Sequence, residues 1–317
     1  MNQGSRHEDE VYREPGWRLM SSSALRTVEF GTPSNNDALS VRFGISEGVF
    51  ERLGIDLRMR TLFGGPAIAD AFDSGEIGIG SLGSPSGLVP IAAGARFKVV
   101  GSGCRQAAHM YLGVRKGVGG YAELKGCRIG VLSIGSCPSW IVHRMLRRHG
   151  LDPDTDVTLV PLHDKYPQII DLIAEGELDG CLVTEPNLSI GESRGLINVW
   201  AAAYEALYLP RFQWIVRVVN ERLLQREPEL VETVLGGCNA SARMASSRAE
   251  AFVHFVADYY GVGAEAVRAG VGRELSRYQL DGTLDMEGLG LAVDMMHELG
   301  GIARKLELES FCELRFQ

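Results

Sequence analysis

Long hydrophobic runs are missing from this 317-residue chain. No apolar stretch reaches the ~18 residues that a bilayer span requires, so membrane insertion is not expected. An excess of positive charge is also missing: 32 Lys and Arg stand against 40 Asp and Glu, for a net charge of −8. Nucleic acid is therefore not expected as a partner, because phosphate backbones need a basic face. Cysteine is sparse and scattered, at Cys104, Cys127, Cys137, Cys181, Cys238 and Cys312. Without a CxxC pair these exclude a zinc ribbon and a small disulfide scaffold, and they fit a reducing compartment. No HExxH, GxSxG, P-loop or dinucleotide fingerprint occurs, so neither a metal nor a cofactor is expected.

A secretory leader is missing too. Met1 to Arg18 reads MNQGSRHEDEVYREPGWR, polar and of mixed charge. A leader needs a basic start followed by roughly 7–15 apolar residues, and a restart at Met20 does not supply them. Residues 1–24 read as a mobile polar tail. The chain as given reads as cytoplasmic; a start codon placed elsewhere would make it periplasmic.

What is present is ordinary globular composition, 45% hydrophobic and 23% charged, in a chain too long for one typical core. Short apolar runs alternate with helical patterns. Strands are expected at Arg26–Phe30, Asp56–Leu62, Ile77–Ser81, Phe97–Gly101, Met110–Arg115, Arg128–Leu132, Val157–Leu162, Gly180–Val183, Ile197–Trp200 and Phe212–Val219. Leu39, Phe43, Phe50 and Leu53 fall on one helical face, as do Ile141, Met145 and Leu146. After residue 220 the pattern turns helical, with helices expected at Glu227–Ser246, Arg248–Tyr260, Ala264–Gly270 and Asp285–Leu299. Strand–helix alternation of this kind implies parallel α/β sheets.

Four expected strands run into a small or polar residue and then proline: Gly64-Gly65-Pro66, Ser84-Pro85, Ser136-Cys137-Pro138 and Thr184-Glu185-Pro186. A fifth ends in Pro33-Ser34-Asn35-Asn36-Asp37. Proline suits a first helical turn, and Ser or Thr before it can cap the helix. Helix N-termini thus gather at strand carboxyl ends, where open α/β sheets bind ligands. Their free N–H groups and positive dipole ends favour an anionic or strongly polar molecule. Each motif taken singly is also what any α/β protein needs for turns; five together favour a ligand cleft.

The order of these segments resembles a type II periplasmic solute-binding protein, in the branch serving nitrate, taurine, alkanesulfonate and thiamine-pyrimidine transport. Gly48 to Leu57 is similar to that branch's "GFFEKEGLDV" phrase, Gly64 to Ile77 to its "ALxSGEID" phrase, and Gly83-Ser84-Pro85 to its G-x-x-P phrase. In the second half, YAELKGCRIGVLSIGSCPSW resembles the "LKGKRIGV…GS" segment, and IIDLIAEGELDGCLVTEPNLSIGESRG the "SGEIDA…EP" segment. QREPELVETVL is similar to the "NPELVRAFL" helix. The resemblance runs over about residues 26–302.

The resemblance implies an α/β fold of two Rossmann-like lobes with a ligand cleft between them. Lobe one would be residues 25–104 plus 208–317, and lobe two 105–207. Carried over by position, the cleft would present Asn35, Asn36, Gly64, Gly65, Ser84, Ser102, Ser133, Ser136, Cys137, Glu185 and Asn187, with Glu185 as its main acid. The function implied is capture of a small organic molecule, anionic or aromatic, with an ABC permease as partner if the chain is exported.

The same fold also serves enzymes, and the alternative is a cytoplasmic decarboxylase or other lyase acting on a small aromatic or heterocyclic acid. Catalytic candidates are Cys137 at a helix start, Cys104, His109 and His163, each with an ordinary structural reading beside it. Tyr166 could stack on a planar ligand, and Arg211, between Tyr208 and Trp214, could fork onto a carboxylate or sulfonate. His143, Arg144, Arg147, Arg148 and His149 read as a solvated, dipole-complementing face. Desulfinases of this fold place a catalytic cysteine after the first strand and carry Arg-x-Gly-Gly. This chain has Pro33-Ser34-Asn35-Asn36 and Leu62-Phe63-Gly64-Gly65 there, with Arg60 two residues too early. The cysteine-rich run of the pyrimidine synthases is likewise missing.

Overall fold

Apolar strand segments and glycine-punctuated helices assemble into two sheets. The computed structural model describes residues 25–36, 38–104 and 109–317; the expected polar tail, 1–24, lies outside them. Among the described residues the strands are β1 (Arg26–Thr32), β2 (Ile55–Thr61), β3 (Ile79–Gly83), β4 (Phe97–Ser102), β5 (Tyr111–Arg115), β6 (Arg128–Val131), β7 (Thr158–Pro161), β8 (Gly180–Val183), β9 (Ile197–Ala202) and β10 (Ile215–Asn220). The helices are α1 (Leu39–Ser46), α2 (Val49–Arg52), α3 (Gly65–Ser74), α4 (Ser84–Ala92), α5 (Cys137–Arg148), α6 (Ile169–Ala174), α7 (Asn187–Ser193), α8 (Glu221–Arg226), α9 (Pro228–Ser247), α10 (Ala249–Tyr260), α11 (Ala264–Leu275) and α12 (Met286–Glu298). All ten expected strands are present, with ends shifted by up to three residues.

The two sheets share one plan. Their strand orders are β2-β1-β3-β10-β4 and β7-β6-β8-β5-β9. In the first, β10 runs antiparallel to β3 and β4. In the second, β5 runs antiparallel to β8 and β9. Each antiparallel strand is the first to form after the chain crosses between sheets, so the reversal of direction marks the two crossovers. The remaining pairs β1–β2, β1–β3, β6–β7 and β6–β8 are parallel. Strands β3, β8 and β10 are buried throughout, as parallel sheets covered on both faces require.

One apolar cluster runs through the crossovers and joins the lobes. It holds Phe72, Leu82 and Phe97 of lobe one, Leu112, Ile129 and Leu146 of lobe two, and Trp214 between them. A second, around Phe30, Phe43, Val219, Val234 and Phe252, sits under α1, α9 and α10. A third, around Leu162, Ile169, Ile173 and Val183, belongs to lobe two.

The carboxyl ends of the sheets meet closely because glycine leaves room. A Cβ built on Gly83, at the end of β3, would stand 2.6 Å from Cys137 Cβ at the start of α5. Gly64, at φ 119°, lies in backbone space that L side chains rarely adopt, and a Cβ there would stand 3.0 Å from Ser133 Oγ. Gly83 has an ordinary φ of −67°, so substitution there reports only on the approach of the lobes. Gly83→Ala should hold the lobes apart, giving a larger radius of gyration in small-angle scattering. If the lobes stayed closed instead, overpacking would cost about 1–3 kcal/mol in denaturant unfolding.

Candidate functional site

Five helix starts converge where the sheets meet, but their hydroxyl side chains do not cap them. Gly64, Gly83, Ser136 and Pro186 hold the N-cap positions of α3, α4, α5 and α7, and none makes a side-chain capping bond. The expected Ser and Thr caps are thus corrected. Ser84 Oγ donates to the Gln213 carbonyl at 2.5 Å, and Ser136 Oγ to the Ser133 carbonyl at 2.5 Å. Nearby loop carbonyls compete with the helix for the short hydroxyl. Pro186 precedes α7 rather than lying inside its first turn, and α1 begins behind Ala38.

The central cavity opens between these ends. Pro33 and Ser34 follow β1, Gly65 opens α3, and Gly83 and Ser86 flank the start of α4. Lobe two contributes Leu132, Ser136, Cys137, Pro138 and Thr184, and the crossovers contribute Met110 and Trp214. Its volume is about 20 Å³, room for little more than one water, so this is the closed arrangement of the lobes.

The closure is held by hydrogen bonds across the cleft. Arg273, on α11 of lobe one, donates through Nε to Glu185 Oε1 of lobe two at 2.7 Å. Its Nη2 lies 2.6 Å from the same oxygen and donates to Ser189 Oγ at 3.0 Å. Glu185 Oε2 accepts from Ser189 N and Ser189 Oγ. The carboxylate is 3% exposed, so its charge is held by this pairing and not by water. Asn36 of lobe one donates to Thr184 Oγ1 at 2.9 Å and to the Glu185 carbonyl at 3.1 Å. It is itself oriented by Tyr260, whose hydroxyl donates to its Oδ1.

Several buried polar atoms near these ends have no hydrogen-bond partner: Ser81 Oγ, Ser133 Oγ, Asn187 Nδ2, Arg217 Nε and Nη1, and both ring nitrogens of His109. Buried polar groups are nearly always paired, so such a concentration marks a place where an incoming molecule can supply partners. His109 is 2% exposed, and burial first, then Arg277 and Arg273, pushes its imidazole down to about 3. Glu274 Oε1 is 4.0 Å from His109 Nδ1, too far for a hydrogen bond, so burial prevails and the ring is neutral. It packs against Tyr204 and Tyr111, with ring centroids 5.0 and 6.0 Å away.

The expected residues divide into groups. Gly65, Ser136 and Cys137 line the central cavity, and Gly64 and Ser133 face each other beside it. Asn36 and Cys104 line a neighbouring cavity. Asn35 is turned toward Thr61, which donates to its Oδ1. Ser102 is taken up by Gln213, whose Nε2 donates to its Oγ at 2.8 Å. Glu185 is the interlobe latch, not a free acid of the cleft. Arg211 is likewise corrected: its guanidinium is paired to Asp285, the N-cap residue of α12, and to Glu287 in its first turn, and braces the hinge. Tyr166 is buried in the third apolar cluster and offers no face for stacking. His163, at φ 50°, is exposed near Gly64. The basic run on α5 is only partly a solvated face, since Arg144 pairs with Glu298 and donates to the Tyr208 carbonyl.

No site role was expected for Gln213, Trp214, Arg273 or Arg217. Gln213 is fully buried and ties Ser102 Oγ and the Ile215 carbonyl to the Asp285 backbone N–H. A polar residue between Phe212 and Trp214, and a charge inside IVRVVN, are the signals that could have exposed Gln213 and Arg217.

This architecture defines a two-lobe, periplasmic-binding-protein-like fold with a closed interlobe cleft. Residues 22–249 match the NMT1-like family, and the chain belongs to it. It is 26% identical over 160 residues to YtlA of Bacillus subtilis, which bears the name of a binding protein. That match covers 50% of this chain and 48% of YtlA, so the chain spans about half the length of the curated relative it matches. Among solved structures it is similar to the alkanesulfonate-binding protein SsuA of Xanthomonas axonopodis pv. citri bound to MOPS, with TM-score 0.75 and 17% identity, covering 93% of this chain and 100% of that one. It is also similar to the periplasmic aliphatic sulphonate binding protein SsuA of Escherichia coli, with TM-score 0.69 and 16% identity, covering 92% of each. A DszB mutant in complex with biphenyl-2-sulfinic acid shares the fold at TM-score 0.65 and 18% identity, covering 92% of this chain and 97% of that one.

Two outcomes follow from the site. Burial pushes the His109 imidazole from its ordinary 6.5 down to about 3 in the fold, so between those values the unfolded chain holds the extra proton. The His109 contribution to stability is complete above about pH 6.5 and is lost as pH falls toward 3. His109→Asn should flatten the fall in unfolding free energy between pH 7 and pH 4, measured by urea titration. Arg273→Met leaves Glu185 unpaired, and the closed form should lose about 1–3 kcal/mol, discounted for the partly exposed guanidinium and measured in the same titrations.

Proposed function

We propose that this chain is the substrate-binding component of an ABC-type import system, and that it captures a small organic molecule between its lobes. The observation that carries this reading is the concentration of partnerless buried polar atoms at the two sheets' carboxyl ends, next to a cleft closed by hydrogen bonds. Binding first to the open form, the ligand would supply partners for Ser133, Asn187 and their neighbours and shift the equilibrium toward closure. The partner would be an ABC permease, which places capture on the outer side of the membrane. No described helix is long and apolar enough to cross one. The lobes would divide at residues 104/105 and 207/208.

Support comes from the family and from the site chemistry, which is hydroxyl and amide around an apolar wall. The lyase alternative gains nothing from the arrangement. Cys137 is buried against Gly83 at the contact between the lobes. Cys104, the other candidate thiol, is likewise buried.

Incubating the full chain with a small-molecule extract and following the extract by untargeted mass spectrometry tests the reading. One compound should fall by about one protein equivalent with no new mass appearing. Loss of many equivalents with a product accumulating would make the chain an enzyme. Ser133→Leu, which fills the closure point opposite Gly64, should weaken capture by at least about tenfold, the equivalent of ~1.4 kcal/mol.

A further inference from the structure

We infer that Arg217 is the receptor for the acidic group of the ligand, a carboxylate or sulfonate, seated in a second cavity beside the central cleft. The inference rests on the cleft-capture reading above and adds the charge and position of the group recognised.

Strand β10 reads IVRVVN, and all six residues are buried. Arg217 is 5% exposed in the middle of this strand. The strand therefore carries a positive charge into the interior of lobe one. Burying a charge without a partner is strongly unfavourable, and such residues are normally paired. Yet Nε and Nη1 have no hydrogen-bond partner. The guanidinium lies over the Phe30 ring, 5.5 Å from Arg217 Cζ to the ring centroid, and close to Gly103, where a Cβ would stand 3.2 Å from Arg217 Cζ. Stacking on an aromatic face engages the plane of the guanidinium and leaves its in-plane N–H donors available.

The surroundings are built for a small oxyanion. Ser81 is the residue directly opposite Arg217 on β3. Paired residues of antiparallel strands project on the same face, so the Ser81 hydroxyl, also without a hydrogen-bond partner, lies on the face of the sheet that carries the Arg217 side chain. On the other side the register places Gly101, which has no side chain to intrude. Beyond them a cavity is lined by Asn36, Ser40, Cys104, Trp214, Arg217 and Tyr278; in the closed arrangement its volume is about 20 Å³, room for about one water, so the acid would enter before the lobes close. Glu274 is the acid on its wall, and its carboxylate is directed to within 4.0 Å of His109. Trp214 lines this cavity and the central one, so a molecule anchored by its acid at Arg217 would lay its organic part along the indole toward Ser136 and Thr184. A guanidinium presents parallel N–H donors that match carboxylate and sulfonate oxygens in a way an ammonium cannot.

The test is isothermal titration of the full chain with propionate, methanesulfonate, benzoate and benzenesulfonate, and with benzamide as the neutral counterpart of benzoate. At least one anion should bind, and benzoate should bind at least tenfold more tightly than benzamide. Arg217→Met should lower anion affinity by about 10- to 100-fold, as expected for losing a charged hydrogen bond. In anion-free buffer it should melt no lower than wild type, because it removes a buried charge two of whose nitrogens have no hydrogen-bond partner. Arg217→Lys, which preserves the charge and covers the case in which the Met variant misfolds, should bind with intermediate affinity. Carboxylate against sulfonate preference then assigns the acid. Unchanged anion affinity in both variants, or no anion bound in preference to benzamide, overturns the inference. Equal binding of benzoate and benzamide would do so while leaving cleft capture standing. Failure of the extract experiment above would instead remove cleft capture itself.

Discussion

The contact on which the arrangement depends is the one Glu185 makes with Arg273. It joins the lobe-two loop after β8 to helix α11 of lobe one, and its geometry is set by a glycine. A Cβ on Gly270 would stand 2.3 Å from Glu185 Oε2 and 2.4 Å from Ser189 Oγ, so the carboxylate lies directly against the helix backbone. In the closed form Glu185 exchanges water for Arg273 and Ser189. In an open form both charges are hydrated again. Desolvation and attraction nearly offset one another in such a pair, so it fixes the geometry of closure without locking it. That balance is what a reversible binding cleft needs, because a ligand can shift the equilibrium only by its own preference for one state.

The sheet plan gives the same contact its reach. Strands β5 and β10 each run against their neighbours because the chain has just crossed between lobes. The crossover carrying β10 also carries Gln213 and Trp214. Gln213 knits the hinge to the start of α12, where Arg211 is paired, while Trp214 forms the wall between the two cavities. Rigid hinge and apolar wall are thus adjacent in sequence. The fold itself is shared by binding proteins and by a desulfurization enzyme, so the function must be argued from the site.

Much of the fold could be read from the sequence because strand and helix signals are local. Alternating apolar runs marked all ten strands, and glycine and proline marked the helix starts. The site was less legible, because its contacts are not local. Glu185 and Arg273 are 88 residues apart, and Arg211 and Asp285 are 74 apart, so nothing near either residue reveals the partner that consumes its charge. Ser84 and Ser136 had the right chemistry to cap helices but found closer acceptors in loop carbonyls. Arg217 was the reverse case. Its signal, one charge inside an apolar strand, was in plain view and became meaningful once the strand proved buried on both faces.

Capture in an interlobe cleft requires that the lobes open and close on a ligand. Distance distributions between spin labels at the exposed positions Asp70 of lobe one and Glu175 of lobe two, recorded by double electron–electron resonance, test it most directly. Two populations are expected in the free protein, collapsing to the shorter distance when the captured compound is added. A single distance, unchanged by that compound, would contradict it.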